Sequence, residues 1–179
     1  ESLQKSPSRR RRPRKKAPLA SEELSPRPAP SGFAAMDLSA VMLASLGEAE
    51  YLEPTPIQAG LIPRALAGVD VMGQAQTGTG KTAAFCIPLL ERLESRTRLP
   101  GVQALVLVPT RELAVQVRDE CVKLAAGRDV RVAALYGGKP IRKQVEQLRR
   151  GAEIIIGTPG RVLDLMSRGS LLLDSIRFV

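Results

Sequence analysis

The sequence has no histidine and no tryptophan, and aromatic residues make up only 3% of it. Without histidine, imidazole acid–base chemistry and any histidine-ligated metal site are excluded within these residues. With so few aromatics, the core has to be built from aliphatic side chains. Cysteine is almost as scarce. Cys86 and Cys121 are the only two, 35 positions apart, each in an apolar predicted helix. That spacing matches neither a zinc site nor a disulfide framework, so both are expected to be buried free thiols of a reducing compartment. No run of about 18 apolar residues occurs, which excludes a membrane-spanning helix. No apolar stretch near Glu1 is flanked like a signal peptide either, so the expected location is the cytoplasm. The first residue is Glu rather than Met, which suggests a chain that begins after a cut or inside a longer product.

What is present is a globular composition with an uneven charge. Hydrophobic residues are 44% and charged residues 25% of 179, enough for one domain with a real core. The net charge is +9, and residues 1–30 carry +6 of it through nine Lys/Arg against three Glu. Arg9 to Arg12, Arg14, Lys15 and Lys16 are followed by a Pro/Ser-rich stretch from Ala17 to Ser31 with no hydrophobic periodicity. Residues 1–32 therefore read as a disordered basic tail. Such an arm gains affinity for nucleic acid by releasing counterions, without reading sequence. A targeting signal or a solubilising tail fits the same residues, and an Arg-rich signal would allow nucleus or mitochondrion in a eukaryote.

From Phe33 to Val179 the pattern becomes that of one folded domain. Leu38, Val41, Met42 and Leu46 have helical spacing, and Thr55-Pro56 reads as an N-cap followed by proline in the first turn. Val69 to Met72 reads as a short strand. It leads into Ala75-Gln76-Thr77-Gly78-Thr79-Gly80-Lys81-Thr82 and then a helix from Ala83. Strand, glycine-rich turn and helix are the setting of a phosphate-binding loop, although Ala75 replaces the first glycine of the strict pattern. Gly78 and Gly80 allow successive amides to face one anion, and the helix N-terminus adds its dipole. Lys81 supplies a charge for the β and γ phosphates of ATP, and Thr82 a hydroxyl for Mg2+. Buried strands are expected at 102–108, 130–135 and 154–156, with helices near 112–126, 140–150 and 160–167. This alternation predicts an α/β fold, a parallel sheet with helices on both faces, whose ligands lie beyond the carboxyl ends of the strands. Residues 175–179 read as a further strand just begun, so the domain is expected to be incomplete at its C-terminus.

Five motifs in order carry a family resemblance: Pro54-Thr55-Pro56-Ile57-Gln58, Ala75 to Thr82, Pro109-Thr110-Arg111-Glu112-Leu113-Ala114, Gly137-Gly138 and Thr158-Pro159-Gly160-Arg161. On these the chain resembles the first RecA-like domain of a DEAD-box ATP-dependent RNA helicase over residues 33–179. The run Ala75 to Phe85 looks most like bacterial members. The resemblance implies ATP and Mg2+ as cofactors, with Lys81 and Thr82 as catalytic groups and Thr82 on the metal. Thr55 and Gln58 fall in the segment that recognises adenine. An amide side chain can both donate to N7 and accept from the N6 amine, and guanine presents an acceptor where adenine has that amine. Tyr51 falls on the aromatic position that stacks on the base, and Phe33 on the upstream aromatic. Glu50 and Leu52 depart from the family pattern, which has Gly and commonly a charged residue there.

The resemblance also implies RNA contacts through sugar and phosphate by Pro109, Thr110, Arg111, Gly137, Gly138, Thr158, Pro159, Gly160 and Arg161. Glu112, Lys139, Arg142, Lys143, Arg149 and Arg150 read as solvated helix faces. The family's Asp-Glu-Ala-Asp and Ser-Ala-Thr motifs and its second RecA-like domain do not occur in these residues. The fragment is therefore expected to bind nucleotide and RNA weakly without turnover, with unwinding a property of the parent. Ribosomal or ribonucleoprotein partners through the tail are compatible with its charge. Two other readings stay open: a related DNA helicase, and a non-enzymatic RNA-binding protein whose phosphate loop no longer cycles.

Overall fold

The computed structural model describes residues 31–94 and 100–179. The tail expected over 1–32 lies outside the described residues except for its last two positions. Seven helices and three strands follow one another among the described residues. They are α1 (Ser31–Ala34), α2 (Ala40–Glu48), α3 (Pro56–Leu66), α4 (Lys81–Arg92), β1 (Ala104–Leu107), α5 (Arg111–Leu124), β2 (Val132–Leu135), α6 (Ile141–Arg149), β3 (Ile154–Gly157) and α7 (Pro159–Ser167).

The strands form a parallel sheet in the order β1-β3-β2, with Ala104 and Val132 both level with Ile154. Because side chains alternate across a strand, the sheet feeds two apolar layers. Ala104, Val106, Ile154 and Ile156 face a cluster with Met42, Leu46, Ile87, Leu90, Val117 and Leu124 from α2, α4 and α5. Leu105, Ala133, Leu135 and Ile155 face Val162, Leu165, Ile141 and Val145 from α6 and α7. Helices therefore cover both faces, and central β3 is buried along its whole length. The core is aliphatic, as the composition demands. Cys86 and Cys121 are buried and free, in α4 and α5, and the neighbouring Cys121 thiol together with burial pushes the Cys86 thiol up.

Three differences from the sequence reading have physical causes. Val69 to Met72 is not a strand, since it pairs with nothing among the described residues, and Met72 is fully exposed. A single extended segment without a neighbour has no ladder to hold it. Between it and β1 runs an open groove of about 590 Å³, lined by Val69, Val71, Phe85, Leu107 and Phe178. β1 and β2 are shorter than expected because their first residues approach the sheet as loops. Residues 175–179 contribute only a bridge from Phe178 to Ala104, with Leu105 N–H donating to Phe178 C=O at 2.9 Å.

Glu50 resolves one departure from the family pattern. It follows the C-terminus of α2 with φ +62°, in the left-handed region. Glu50 N–H donates to Gly47 C=O at 3.2 Å and Tyr51 N–H to Leu46 C=O at 2.9 Å. That pair of bonds is a Schellman cap, whose left-handed position normally takes glycine. The turn forms regardless of the side chain.

Candidate nucleotide and nucleic-acid site

The phosphate turn is built around Gly78 and Gly80, at φ +80° and +82°, and Gly80 caps α4 so that Lys81 opens it. Within the turn, the Thr79 hydroxyl donates to Gln76 C=O at 2.8 Å. Lys81 donates its ammonium to Ala75 C=O, closing the turn on itself. Gly78 has nothing within 4 Å of where a Cβ would stand, so glycine is required there by its positive φ and not by crowding.

The α3 start is fastened to this turn. Thr55 caps α3, with Pro56 in its first turn. Gln58 reaches back to accept from Thr55 N–H at 2.9 Å, and its amide nitrogen donates to Gly80 C=O at 3.2 Å. The Thr55 hydroxyl donates to Thr79 C=O at 2.9 Å. Gln58 is 0% exposed, enclosed between α3 and the turn. A Cβ at Gly80 would collide with the Gln58 amide, a second reason for glycine there. Thr55 and Gln58 are thus brought to the phosphate turn.

The two aromatics are brought together at a different contact. Phe33 meets Tyr51 edge-on at 6.4 Å and is itself fully enclosed in the core. Tyr51 is half-buried. Its hydroxyl donates to Glu120 of α5 at 2.5 Å, and the Lys123 ammonium lies 5.6 Å from its ring centre. Burial, then the Glu120 bond and charge, push the phenol well above its ordinary value.

An implied nucleotide and its Mg2+ can be tested against these residues. A turn of glycine backbone with a lysine and a helix N-terminus suits a polyphosphate. Among the described residues no three His, Cys, Asp or Glu gather as a metal cage. Mg2+ is commonly held by phosphates with few protein oxygens, and Thr82, at the second position of α4, offers one. The residues fit the pair.

Three loops leave the carboxyl ends of the three strands. After β1, Thr110 caps α5 by accepting from Leu113 N–H at 3.2 Å, and Pro109 and Thr110 are exposed. The Arg111 side chain is 66% exposed and leans on Glu112. That contact raises the arginine and lowers the carboxyl from their ordinary values. After β2 come Gly137 and Gly138, the latter at φ +82°, where a Cβ would lie 3.6 Å from the Arg111 guanidinium. After β3, Thr158 precedes α7, with Pro159 and Gly160 exposed in its first turn. Arg161 is placed differently from Arg111. Its side chain is only 13% exposed, near Asp164 at 3.8 Å, and it donates to Lys139 C=O at 3.2 Å. It ties the third loop to the second.

Two further buried glutamines, Gln144 and Gln103, lie outside the sequence motifs. Gln144 accepts from Tyr136 N–H at 3.2 Å and donates to Tyr136 C=O at 2.9 Å. Gln103 holds Glu94 in the same two-bond manner, at 2.9 and 3.0 Å. The signal was present. Gln144 lies three residues after Ile141 and four before Leu148, on the apolar stripe of α6, and Gln103 interrupts an apolar run. A polar residue on a buried face must find partners.

A parallel sheet layered by helices, with a glycine turn heading one helix and three loops at the strand ends, defines a RecA-like α/β domain. Residues 55–179 match the DEAD/DEAH box helicase family. The chain belongs to that family. It is 51% identical over 144 residues to the DEAD-box ATP-dependent RNA helicase CshA of Streptococcus pneumoniae, covering 80% of this chain and 27% of that protein. It is 45% identical over 145 residues to the ATP-dependent RNA helicase CshA of Limosilactobacillus reuteri, covering 81% and 29%. The chain thus spans under a third of the length of these relatives. A crystal structure of a DEAD box protein from the hyperthermophile Methanococcus jannaschii superposes with a TM-score of 0.76 at 40% identity, covering 82% of this chain and 40% of that one.

Proposed function

We propose that this chain is the ATP- and RNA-binding first RecA-like unit of an ATP-dependent RNA helicase. The longer protein would couple RNA-stimulated ATP hydrolysis to the separation of short duplexes. The observation that carries this reading is the gathering of Arg111, Gly138 and Arg161 at one edge of the sheet, in a domain whose phosphate turn is clasped by Gln58.

On this reading Lys81 leaves Ala75 C=O and places its ammonium on the β and γ phosphates, while the amides from Gly78 to Thr82 surround them. Bound Mg2+ supplies charge neutralisation on the phosphates. Thr82 contributes one oxygen to it. Gln58 has one amide proton and one lone pair left beyond its two bonds, enough to read N7 and N6 of adenine once the base uncovers it. Tyr51 offers the partly exposed aromatic face, with Phe33 supporting it from the core. Pro109, Thr110, Arg111, Gly137, Gly138, Thr158, Pro159 and Gly160 line the strand-end edge where single-stranded RNA is held by sugar and phosphate. Contacts of that kind carry no sequence information. Arg161 supports the edge from beneath.

The 179 residues contain no Asp-Glu-Ala-Asp string. Phosphoryl transfer depends on positioned charge, so this chain alone binds nucleotide without turnover. The basic residues 5–16 add non-specific affinity for RNA and a route to ribonucleoprotein partners. Among the described residues no helix is long and apolar enough to cross a membrane.

The test is Arg111→Ala in a titration with single-stranded RNAs of unrelated sequence. Affinity should fall to a similar degree for all of them. The slope of log affinity against log salt should become shallower by about 0.7, the loss of one neutralised phosphate. An unchanged affinity and slope would contradict the assignment.

A further inference from the structure

We infer that Gln144 is a positioning residue for RNA binding, and that the group it positions is the Gly137 backbone N–H, a donor for a phosphate oxygen. The inference rests on the RNA-binding reading of the strand-end loops and adds to it a specific donor and the side chain that aims it.

Gln144 is 3% exposed on the sheet-facing side of α6, and both ends of its amide are spent on one residue, Tyr136. Tyr136 is the last residue before the Gly137-Gly138 turn. Its C=O belongs to the peptide plane that also contains the Gly137 N–H. In a trans peptide these two groups point in opposite directions, and all described peptides are trans. By drawing Tyr136 C=O inward at 2.9 Å, Gln144 turns the Gly137 N–H away from α6. Gly137 is exposed, and a Cβ there would meet nothing within 4 Å. The next residue, Gly138, is the one beside Arg111, with a Cβ position 3.6 Å from its guanidinium.

Glycine backbone would otherwise rotate freely, and a loop that must be ordered on binding loses affinity to entropy. The far end of the turn is fixed too, by Arg161 donating to Lys139 C=O at 3.2 Å. The Lys139 ammonium lies 5.3 Å from the Tyr136 ring centre, packing the turn across its base. The grip is therefore prebuilt without a ligand, and Gln144 is its pivot.

The test uses the full chain and two substitutions. Gln144→Met keeps the volume and removes both hydrogen bonds. Gln144→Glu keeps an acceptor for Tyr136 N–H but has no donor for Tyr136 C=O when ionised. Both are expected to weaken single-stranded RNA binding roughly tenfold, the scale of one hydrogen bond to a charged oxygen. Affinity for MgADP should stay within about twofold, because the phosphate turn is not touched. Amide exchange should accelerate at residues 136–139 and not in β3.

Unchanged RNA affinity in Gln144→Met, with Arg111→Ala impaired in the same assay, overturns this inference alone. RNA affinity and MgADP affinity falling in parallel would show a merely structural role and overturn it as well. Full RNA affinity in Gln144→Glu, measured at alkaline pH where the carboxyl is ionised and has no donor, would refute the orientation of the carbonyl as the cause. No RNA binding by the unsubstituted chain would remove the reading beneath it.

Discussion

Replacing Gln58 by methionine tests the clasp between α3 and the phosphate turn. The change conserves length and volume, so no cavity forms, and what is lost is two hydrogen bonds. The first, Thr55 N–H to the side-chain oxygen at 2.9 Å, leaves a helix-cap donor without its partner. Thr55 is half-buried, so water can reach part of it, and the cost is about 1–2 kcal/mol. The second, to Gly80 C=O at 3.2 Å, costs less, because that oxygen also accepts from Ala84 N–H at 3.1 Å. About 0.5–1 kcal/mol is appropriate there. Methionine recovers some of this, since burying a thioether is easier than burying an amide. A net loss of about 1–2 kcal/mol corresponds to a melting temperature lower by roughly 3–8 °C for a domain of this size. The assay is thermal unfolding followed by circular dichroism, alongside titrations with ADP and GDP. The expected result is the lowered midpoint together with loss of preference for adenosine nucleotides. An unchanged midpoint would refute the clasp. A lowered midpoint with the adenine preference intact would leave the clasp standing and refute Gln58 as the base reader.

Glu50→Gly should stabilise the domain by up to about 1 kcal/mol, because it relieves a side chain held at positive φ in the α2 cap. Denaturant unfolding checks this, and a destabilised variant would show that the glutamate's own contacts outweigh the strain. Tyr51 predicts the alkaline limb of stability. Its phenol is raised in the folded state, so the folded form holds its proton where the unfolded form releases it. That contribution is complete below about pH 10 and is lost as pH rises further through the folded value. Tyr51→Phe should flatten the fall in unfolding free energy above about pH 10, and an unaltered slope would contradict the burial and the Glu120 bond as its source.

Much of the fold was legible because its signals are local. Apolar runs such as 154–156 become buried strands wherever two helical layers can cover them, and Thr55-Pro56 and Thr110 start helices by capping alone. Val69 to Met72 was misread for a non-local reason. A short β-rich run becomes a strand only if a neighbour pairs with it, and no pattern within the run reveals whether one does. The same limit applies to the clasp. Gln58 could be assigned to the site from its motif, but its enclosure by Gly80 depends on two segments more than twenty residues apart. Phe33 and Tyr51 were expected at the base. Their edge-on contact, and the bond from Tyr51 to Glu120, come from the way the segment after α2 meets α1 and α5, which periodicity does not encode. Gln144 and Gln103 were legible in principle as polar residues on buried faces. Arg161 carries one bond that its motif does not announce, to Lys139 C=O at 3.2 Å.

The most direct measurement of the central claim is calorimetric titration of the chain with MgADP, before and after Lys81→Ala. Saturable binding is expected of the unsubstituted chain and none measurable of the variant, with folding unaffected because Lys81 is exposed and bonds only within the turn. Equal binding heats in the two proteins would mean that the turn from Ala75 to Thr82 does not hold the phosphates.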